Sequence, residues 1–230
     1  MKLLLSSFNT SPSQDAALEA MVGKPLSELK IAYIENAHDI YNDEASLIEG
    51  REALRAKGWN IELVDLREWR NSQDREALRQ KLASKDVFLF AGGNPFYLRW
   101  LMKATGADEI ITELVKQGKV YAGASAGGVV AGPTLRFFDN QDDPNEAEEI
   151  IWDGLNLTHI VLVPHIDNEE FGEGCRQAGE ALKAAGYTTQ PITDAQALLI
   201  NGDHAEVIYC LLYTSPSPRD RTRSRMPSSA

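Results

Sequence analysis

Short apolar runs alternate with amphipathic segments along most of this chain. The runs are rich in leucine, β-branched and aromatic residues, which favours buried strands. The strands predicted on this basis are residues 2–6, 30–34, 60–64, 86–91, 119–124 and 160–164. The segments between them place apolar side chains on one helical face, and several end at a glycine that suits a helix C-terminus. The predicted helices are residues 43–57, 74–83, 96–104, 107–117 and 169–185.

This alternation also predicts the fold class. Strands that alternate with helices are typical of an α/β protein in which a mostly parallel sheet lies between two helical layers. Towards the end the pattern changes to closely spaced strands at 187–192, 196–201 and 205–209. Because no repeat or interdomain linker is visible before Cys210, we expect one domain, residues 1–209.

The segment 210–230 differs from the rest of the chain in composition. It is rich in serine, proline and arginine and has no apolar periodicity after Tyr213. Such a composition is typical of a disordered arm, but the letters CLLYTSPSPRD resemble the translation of a sequencing-library adapter. We therefore expect a non-native, disordered tail, and a native domain that is truncated at its C-terminus.

Composition narrows the class of protein. The chain has 230 residues, of which 43% are hydrophobic, and a net charge of −11. This acidic balance argues against nucleic acid and anionic membranes as partners, and no apolar run reaches the roughly 18 residues of a membrane span. The opening leucines are too few for a signal peptide, and the two cysteines form no disulfide framework or metal-binding spacing. We expect a cytoplasmic protein.

Ser125 lies in the most specific chemical motif of the chain. It is the centre of the letters GASAGG, between a predicted strand and a segment that can begin a helix. This is the strand–turn–helix setting of the G-x-S-x-G nucleophile elbow. The turn is tight and strained, so the neighbours of the serine must be small, as they are here. The amide of Ala126 would then face a substrate carbonyl oxygen. A plain small-residue turn is the alternative interpretation.

A second glycine turn follows the predicted strand at 86–91. In parallel α/β sheets, the ligand site lies at the carboxyl ends of the strands. Consecutive glycines at Gly92 and Gly93 leave backbone N–H groups uncovered. Gly93 is therefore a candidate second oxyanion donor beside Ala126, and an ordinary turn is the alternative.

A serine nucleophile needs a base, and the base needs an orienting acid. His165 follows the predicted strand at 160–164 and comes after the serine motif. Among the four histidines it is therefore the preferred candidate for the base, and His38 is the next. The candidate acids are Asp139, Asp142, Asp143, Asp167, Glu169 and Asp194. Spacing alone favours Asp194, in a turn between two late strands, only slightly over Asp139.

Together these motifs resemble a known family. The letters GGNPFYL at 92–98, GASAG around Ser125 and Pro-His at 164–165 are similar to the serine peptidase family of alpha-aspartyl dipeptidase (dipeptidase E) and cyanophycinase. The resemblance extends from Leu3 to about Ile208. It implies a three-layer αβα sandwich similar to class I glutamine amidotransferases (flavodoxin-like), with serine in place of their cysteine.

The resemblance also implies catalytic roles. It implies a pair formed by Ser125 and His165 with an acidic third member, and an oxyanion hole made by the amides of Gly93 and Ala126. In the dipeptidase the acid lies on a late turn ahead of a strand that ends in Asn-Gly, and Asp194 fits that place. The chain departs from the family here, because it has Asp where the dipeptidase has Glu, with a spacing one residue shorter.

The implied reaction is hydrolysis of dipeptides or short peptides with an N-terminal aspartate, through an acyl-enzyme and without a metal or cofactor. The implied partner is a small peptide, and the protein could be a monomer or a homodimer. Such a pocket needs a cation for the aspartyl carboxylate, for which Arg136 is the candidate. The free amine needs an acceptor, for which Asp139, Asp142 and Asp143 are candidates, with Asp139 preferred. We also expect Asn94 to bind substrate.

Three other functions stay open. A cyanophycinase-like hydrolase would cleave β-aspartyl-arginine. An α/β-hydrolase esterase also uses G-x-S-x-G, but its triad order is Ser, acid, His, whereas the expected order here is Ser125, His165, Asp194. A non-catalytic small-molecule binding protein could use the same fold.

Overall fold

The computed structural model describes residues 1–8, 11–70 and 74–209, so the predicted tail at 210–230 lies outside the described residues. The strands are β1 (Lys2–Ser6), β2 (Ile31–Ile34), β3 (Ile61–Leu63), β4 (Val87–Phe90), β5 (Val120–Ala124), β6 (Ile160–Val163), β7 (Thr188–Pro191), β8 (Gln196–Asn201) and β9 (His204–Tyr209). The α-helices are α1 (Pro12–Val22), α2 (Glu44–Ala56), α3 (Arg75–Ala83), α4 (Pro95–Thr105), α5 (Ala107–Lys116), α6 (Ala126–Val130) and α7 (Gly172–Ala184). Short 3-10 helices are Leu26–Glu28, Asn36–Tyr41, Leu66–Trp69, Phe138–Asn140 and Pro144–Glu146. No helix within these described ranges has the length and apolar character that a membrane crossing requires.

A seven-stranded sheet forms the centre, in the order β3-β2-β4-β5-β1-β8-β9. The strands from β3 to β1 in this order are parallel, and β8 and β9 extend the sheet in antiparallel pairing. The predicted α/β fold with a mostly parallel sheet is thereby confirmed. Strand β6 does not join this sheet but pairs in parallel with β7 in a small second sheet. An apolar run alone does not encode its pairing partner, so only the structure decides this.

Strand side chains divide the core into two layers, because successive residues of a strand point to opposite faces of the sheet. In β4, Phe88 and Phe90 pack into the core on one face, and Val87 and Leu89 pack into the core on the other. Helices α1 and α2 cover the face of Val87, and helices α3 to α7 cover the face of Phe88. The result is the three-layer arrangement that the resemblance implied.

Helix α1 has no counterpart among the predicted elements. Its ends carry ordinary signals: Ser11 caps the first turn, Pro12 is the first helical residue and Gly23 ends the helix with φ 79°. The alanine-rich body between them buries few large apolar side chains, chiefly Leu18 and Met21. The hydrophobic stripe is therefore too weak to predict the helix, although the end signals could have identified it.

Candidate active site

A cavity of about 580 Å³ opens at the carboxyl edge of the parallel strands. The loops after β1, β2, β4 and β5 meet there, as expected for a parallel α/β sheet. These loops contribute Ser7, His38, Gly93 and Ser125 to its lining, and His165 enters from the loop after β6. The topology thus brings residues that are far apart in the sequence into one site.

Ser125 occupies a sharp turn between β5 and α6. Its backbone angles are φ 49° and ψ −116°, a region that a residue with a Cβ rarely adopts, so the position is strained. The backbone holds this conformation, because Ser125 N–H donates to the Ser6 carbonyl at 2.8 Å and the Ser125 carbonyl accepts from Gly128 and Val129. The structure therefore has the geometry of a nucleophile elbow at the predicted position.

The small residues around Ser125 are a steric necessity. A Cβ on Gly123 would overlap the backbone carbonyl group of Gly127. A Cβ on Gly127 would lie 2.6 Å from the Cβ of Phe90 in β4. Both distances are shorter than the separations that packed carbon atoms adopt, so the elbow can form only where these side chains are absent.

We expect Gly123→Ala to destabilise the fold by about 1–3 kcal/mol or more, because the new methyl group must displace backbone atoms. Gly50→Ala is the matched control, because a Cβ added at Gly50 meets no other atom. Gly50 also lies inside α2, where alanine is favoured over glycine by up to about 1 kcal/mol. Urea unfolding of both variants checks this prediction. Equal stabilities for the two would contradict it.

Three side chains form a line of hydrogen-bond contacts at the elbow. His165 Nε2 lies 3.0 Å from Ser125 Oγ, and His165 Nδ1 lies 2.6 Å from Asp194 Oδ1. The histidine ring is buried and Asp194 is partly buried, with 26% of its side chain exposed. A hydroxyl, an imidazole and a carboxylate in this order have the geometry of a nucleophile, a base and an orienting acid.

The loop that carries His165 is fixed by a residue with no predicted role, Ser7. His165 has φ 59°, and its buried N–H donates to Ser7 Oγ at 3.0 Å. The Ser7 hydroxyl in turn donates to the Thr193 carbonyl at 3.1 Å, one residue before Asp194. A single side chain after β1 therefore connects the loop of the histidine with the loop of the acid.

We expect Ser7→Ala to reduce stability by about 1–3 kcal/mol, because it leaves the buried His165 N–H without an acceptor. We also expect a fall in kcat of about tenfold with KM nearly unchanged, since the histidine moves relative to Ser125. Thermal melts and steady-state kinetics measure both effects. Wild-type kcat in a destabilised variant would show that Ser7 is structural only.

Two more side chains hold Asp194. Asn168 Nδ2 donates to Asp194 Oδ2 at 2.7 Å, so both oxygens of the acid have a partner. Asp167 Oδ1 accepts from the Asp194 N–H at 2.8 Å. The hydrophobic pattern predicted a helix from 169, but α7 begins later because the residues around Asn168 form this loop.

The glycine turn after β4 lies beside the serine. A Cβ on Gly92 would lie 3.2 Å from the Ser125 Cβ and 3.8 Å from its Oγ. Gly93 has φ 134°, and a Cβ there would overlap the Ala37 carbonyl, so only glycine suits this position. Gly93 and Ala126, the residues expected to supply the oxyanion donors, line the same cavity as Ser125.

The three residues expected to bind substrate do not line the cavity. Asn94 is buried, its side chain caps α4 through the amides of its first turn, and its Nδ2 donates to the Asp143 carbonyl at 2.9 Å. Arg136 is exposed, with its guanidinium 5.6 Å from the ring centre of Trp152. Asp139 is also exposed. The motif spacing identified this region of the chain but not which of its side chains face the cavity.

The charged groups at the cavity are mainly acidic. Asp142 and Glu170 contribute carboxyl groups, and no Lys or Arg of the described residues lines the cavity. Burial raises the pKa of the Asp142 carboxyl to about 6. Burial, with the negative charges of Asp142 and Asp194, raises the pKa of the Cys175 thiol to about 11, so this lining cysteine is a neutral thiol at neutral pH.

In the part of the chain that the structure describes, no group of three or more His, Cys, Asp or Glu side chains is arranged to hold a metal.

Comparison with known proteins assigns the family. The model of peptidase family S51 matches residues 3–208. The chain belongs to peptidase family S51. An uncharacterized peptidase of Listeria monocytogenes serovar 1/2a is 29% identical over 174 residues, which is 75% of this chain and 82% of that protein. Peptidase E of Escherichia coli O1:K1 / APEC is 33% identical over 89 residues, 38% of this chain and 37% of that protein.

Solved structures agree with this assignment. A crystal structure of a candidate peptidase E from Listeria monocytogenes EGD-e superposes with a TM-score of 0.74 at 26% identity, covering 90% of this chain and 98% of that one. A peptidase from an acI-B1 actinobacterium superposes with a TM-score of 0.66 at 18% identity, covering 90% of this chain and 87% of that one, which supports the fold alone. The family and its relatives make this S51 member a peptidase, as the motifs predicted.

Proposed function

We propose that this S51 peptidase is a serine exopeptidase that hydrolyses dipeptides or short peptides with an N-terminal aspartate through an acyl-enzyme. The observation that carries the proposal is the contact line from Ser125 Oγ through the two ring nitrogens of His165 to Asp194. It lies at the edge of a cavity large enough for a dipeptide.

In the proposed reaction, His165 Nδ1–H donates to Asp194 and Nε2 accepts the proton of Ser125 as Oγ attacks the scissile carbonyl carbon. The amides of Gly93 and Ala126 would stabilise the negative oxygen of the tetrahedral intermediate. His165 then gives its proton to the leaving amine nitrogen, which leaves an ester on Ser125. Water attacks the ester carbonyl carbon while Nε2 takes one of its protons. His165 then returns this proton to Ser125 Oγ as the ester C–O bond breaks, which releases the N-terminal product.

The aspartate specificity rests on the resemblance to the dipeptidase and on one feature of the cavity. Among the described lining residues, His38 is the side chain besides His165 that can carry a positive charge. Its Nε2 atom has no hydrogen-bond partner within the protein, and as an N–H it would donate to a carboxylate oxygen. We assign His38 to the side-chain carboxylate of the substrate, in place of the exposed Arg136.

A cyanophycinase-like hydrolysis of β-aspartyl-arginine is the second candidate function. It is favoured by the carboxyl groups of Asp142 and Glu170 at the cavity. These groups are suited to a basic side chain on the substrate, and the described part of the lining holds no Lys or Arg that would repel it.

A substrate panel tests these proposals. Wild type and Ser125→Ala are assayed on Asp-Leu, Asn-Leu, Glu-Leu, acetyl-Asp-Leu, β-Asp-Arg and a p-nitrophenyl ester. We expect cleavage of Asp-Leu but not of acetyl-Asp-Leu, and no cleavage by the variant. A preference for β-Asp-Arg would support the second candidate. Hydrolysis of the ester alone would overturn both peptide assignments.

A further inference from the structure

We propose that Asp142 binds the α-ammonium group of the substrate's N-terminal residue, with Tyr41 beside it, and thereby makes the enzyme an exopeptidase. This inference rests on the proposed peptidase reaction at Ser125. It assigns the amine acceptor to a residue other than Asp139, the candidate preferred from the sequence.

Asp142 has the chemistry that an ammonium acceptor needs. Its side chain lines the cavity together with Ser125, and its Oδ1 accepts from the Tyr41 hydroxyl at 3.3 Å. No Lys or Arg among the described lining residues balances its charge. Burying a carboxylate without a counter-charge costs free energy, and pairing it with a bound ammonium group offsets that cost.

The surrounding contacts fix Asp142 before substrate arrives. Its N–H donates to the Phe138 carbonyl at 3.1 Å. On one side of it, Asn94 Nδ2 donates to the Asp143 carbonyl, and on the other, Asn140 Nδ2 donates to the Gly174 carbonyl at 3.0 Å. A carboxylate held in this way loses little conformational freedom on binding, which favours a specific contact with the ammonium group.

The neighbouring acids do not meet these conditions. Asp139 and Asp143 are exposed and absent from the cavity lining. Asp143 also uses its Oδ1 to accept from the amide and side chain of Asn145. Glu170 lines the cavity but is exposed. Of the three candidate amine acceptors, Asp139, Asp142 and Asp143, Asp142 is therefore the one that lines the cavity.

The test combines one variant with one change in the substrate. Succinyl-leucine differs from Asp-Leu only in lacking the α-amino group. For wild type we expect kcat/KM to be about 10- to 100-fold lower on succinyl-leucine than on Asp-Leu, the effect of a charge-assisted hydrogen bond. For Asp142→Asn we expect a loss of the same size on Asp-Leu and wild-type kcat/KM on succinyl-leucine.

Asp139→Asn is the matched control, because it removes the same charge three positions away and outside the cavity. It should behave as wild type on both substrates. The melting temperature of Asp142→Asn should not fall, since the variant removes a partly buried charge without a counter-charge and retains an oxygen for Tyr41.

The outcomes separate this inference from the proposed function. Equal kcat/KM of wild type and Asp142→Asn on Asp-Leu would overturn the inference and leave the peptidase assignment intact. An equal loss by the variant on both substrates would also overturn it, because the effect would not depend on the amine. Failure of wild type to cleave either compound would overturn the proposed function and this inference together.

Discussion

Ser125→Ala is expected to lower kcat for peptide hydrolysis by about 10⁴-fold or more, because the variant loses the atom that would form the acyl-enzyme. This oxygen lies 3.0 Å from Nε2 of His165, the expected base. The backbone of the elbow does not depend on the side chain, since its hydrogen bonds to Ser6, Gly128 and Val129 use main-chain atoms. The melting temperature should therefore change by no more than about 2 °C.

Two measurements check this first prediction. Steady-state kinetics on Asp-Leu measure the fall in kcat. Ser84→Ala serves as the control, because Ser84 is an exposed serine at the end of α3. Incubation with an alkyl fluorophosphonate followed by intact-mass analysis should show one adduct on wild type and none on Ser125→Ala. Retained peptidase activity in the variant would exclude a serine-type mechanism at this site.

Asp194→Asn is expected to lower kcat by about 10³- to 10⁴-fold with little change in KM. The carboxylate oxygen lies 2.6 Å from His165 Nδ1, where it would hold the ring tautomer and stabilise the imidazolium that forms during proton transfer. An amide carries no charge for this purpose, and it can present an N–H to Nδ1 and invert the tautomer. The substitution should leave KM nearly unchanged, because Asp194 is not among the residues that line the cavity.

Asp203→Asn is the control for this second prediction, because Asp203 is exposed in the turn between β8 and β9. The kcat and KM of both variants on Asp-Leu decide the result. A kcat for Asp194→Asn above about a tenth of the wild-type value would show that another group orients His165. Asn168 would then be the first residue to examine, since it contacts the other oxygen of Asp194.

The elements of the fold could be predicted from the chain because their causes are local. Each buried strand is a short apolar run, each predicted helix has a stripe of apolar side chains, and several of these helices end at a glycine. The run at 86–91 shows this: it became β4, with side chains that alternate between the two cores. Helix α1 was missed because its alanine-rich sequence has a weak stripe. The pairing of β6 with β7 in a second sheet could not be predicted, because strand pairing depends on residues distant in the sequence.

The candidate nucleophile was also accessible to sequence analysis. The requirement for small residues around Ser125 is local, since the turn itself brings Gly123 against Gly127. The substrate-binding side chains were less accessible. Arg136 and Asp139 were expected to bind substrate, yet both are exposed and neither lines the cavity, whereas Asp142 lines it. A difference of one or a few residues in an irregular loop reverses the side that a side chain faces, and no periodic pattern records that direction.

The sequence by itself determined the α/β class, the elbow serine and a short set of residues that could act with it. The tertiary structure decided which of them meet. His165 and Asp194 are 29 residues apart along the chain, and their contact depends on the pairing of β6 with β7 and on Ser7, which bonds to both loops. Such contacts are set by the packing of whole strands and loops, so they become visible only when the chain has folded.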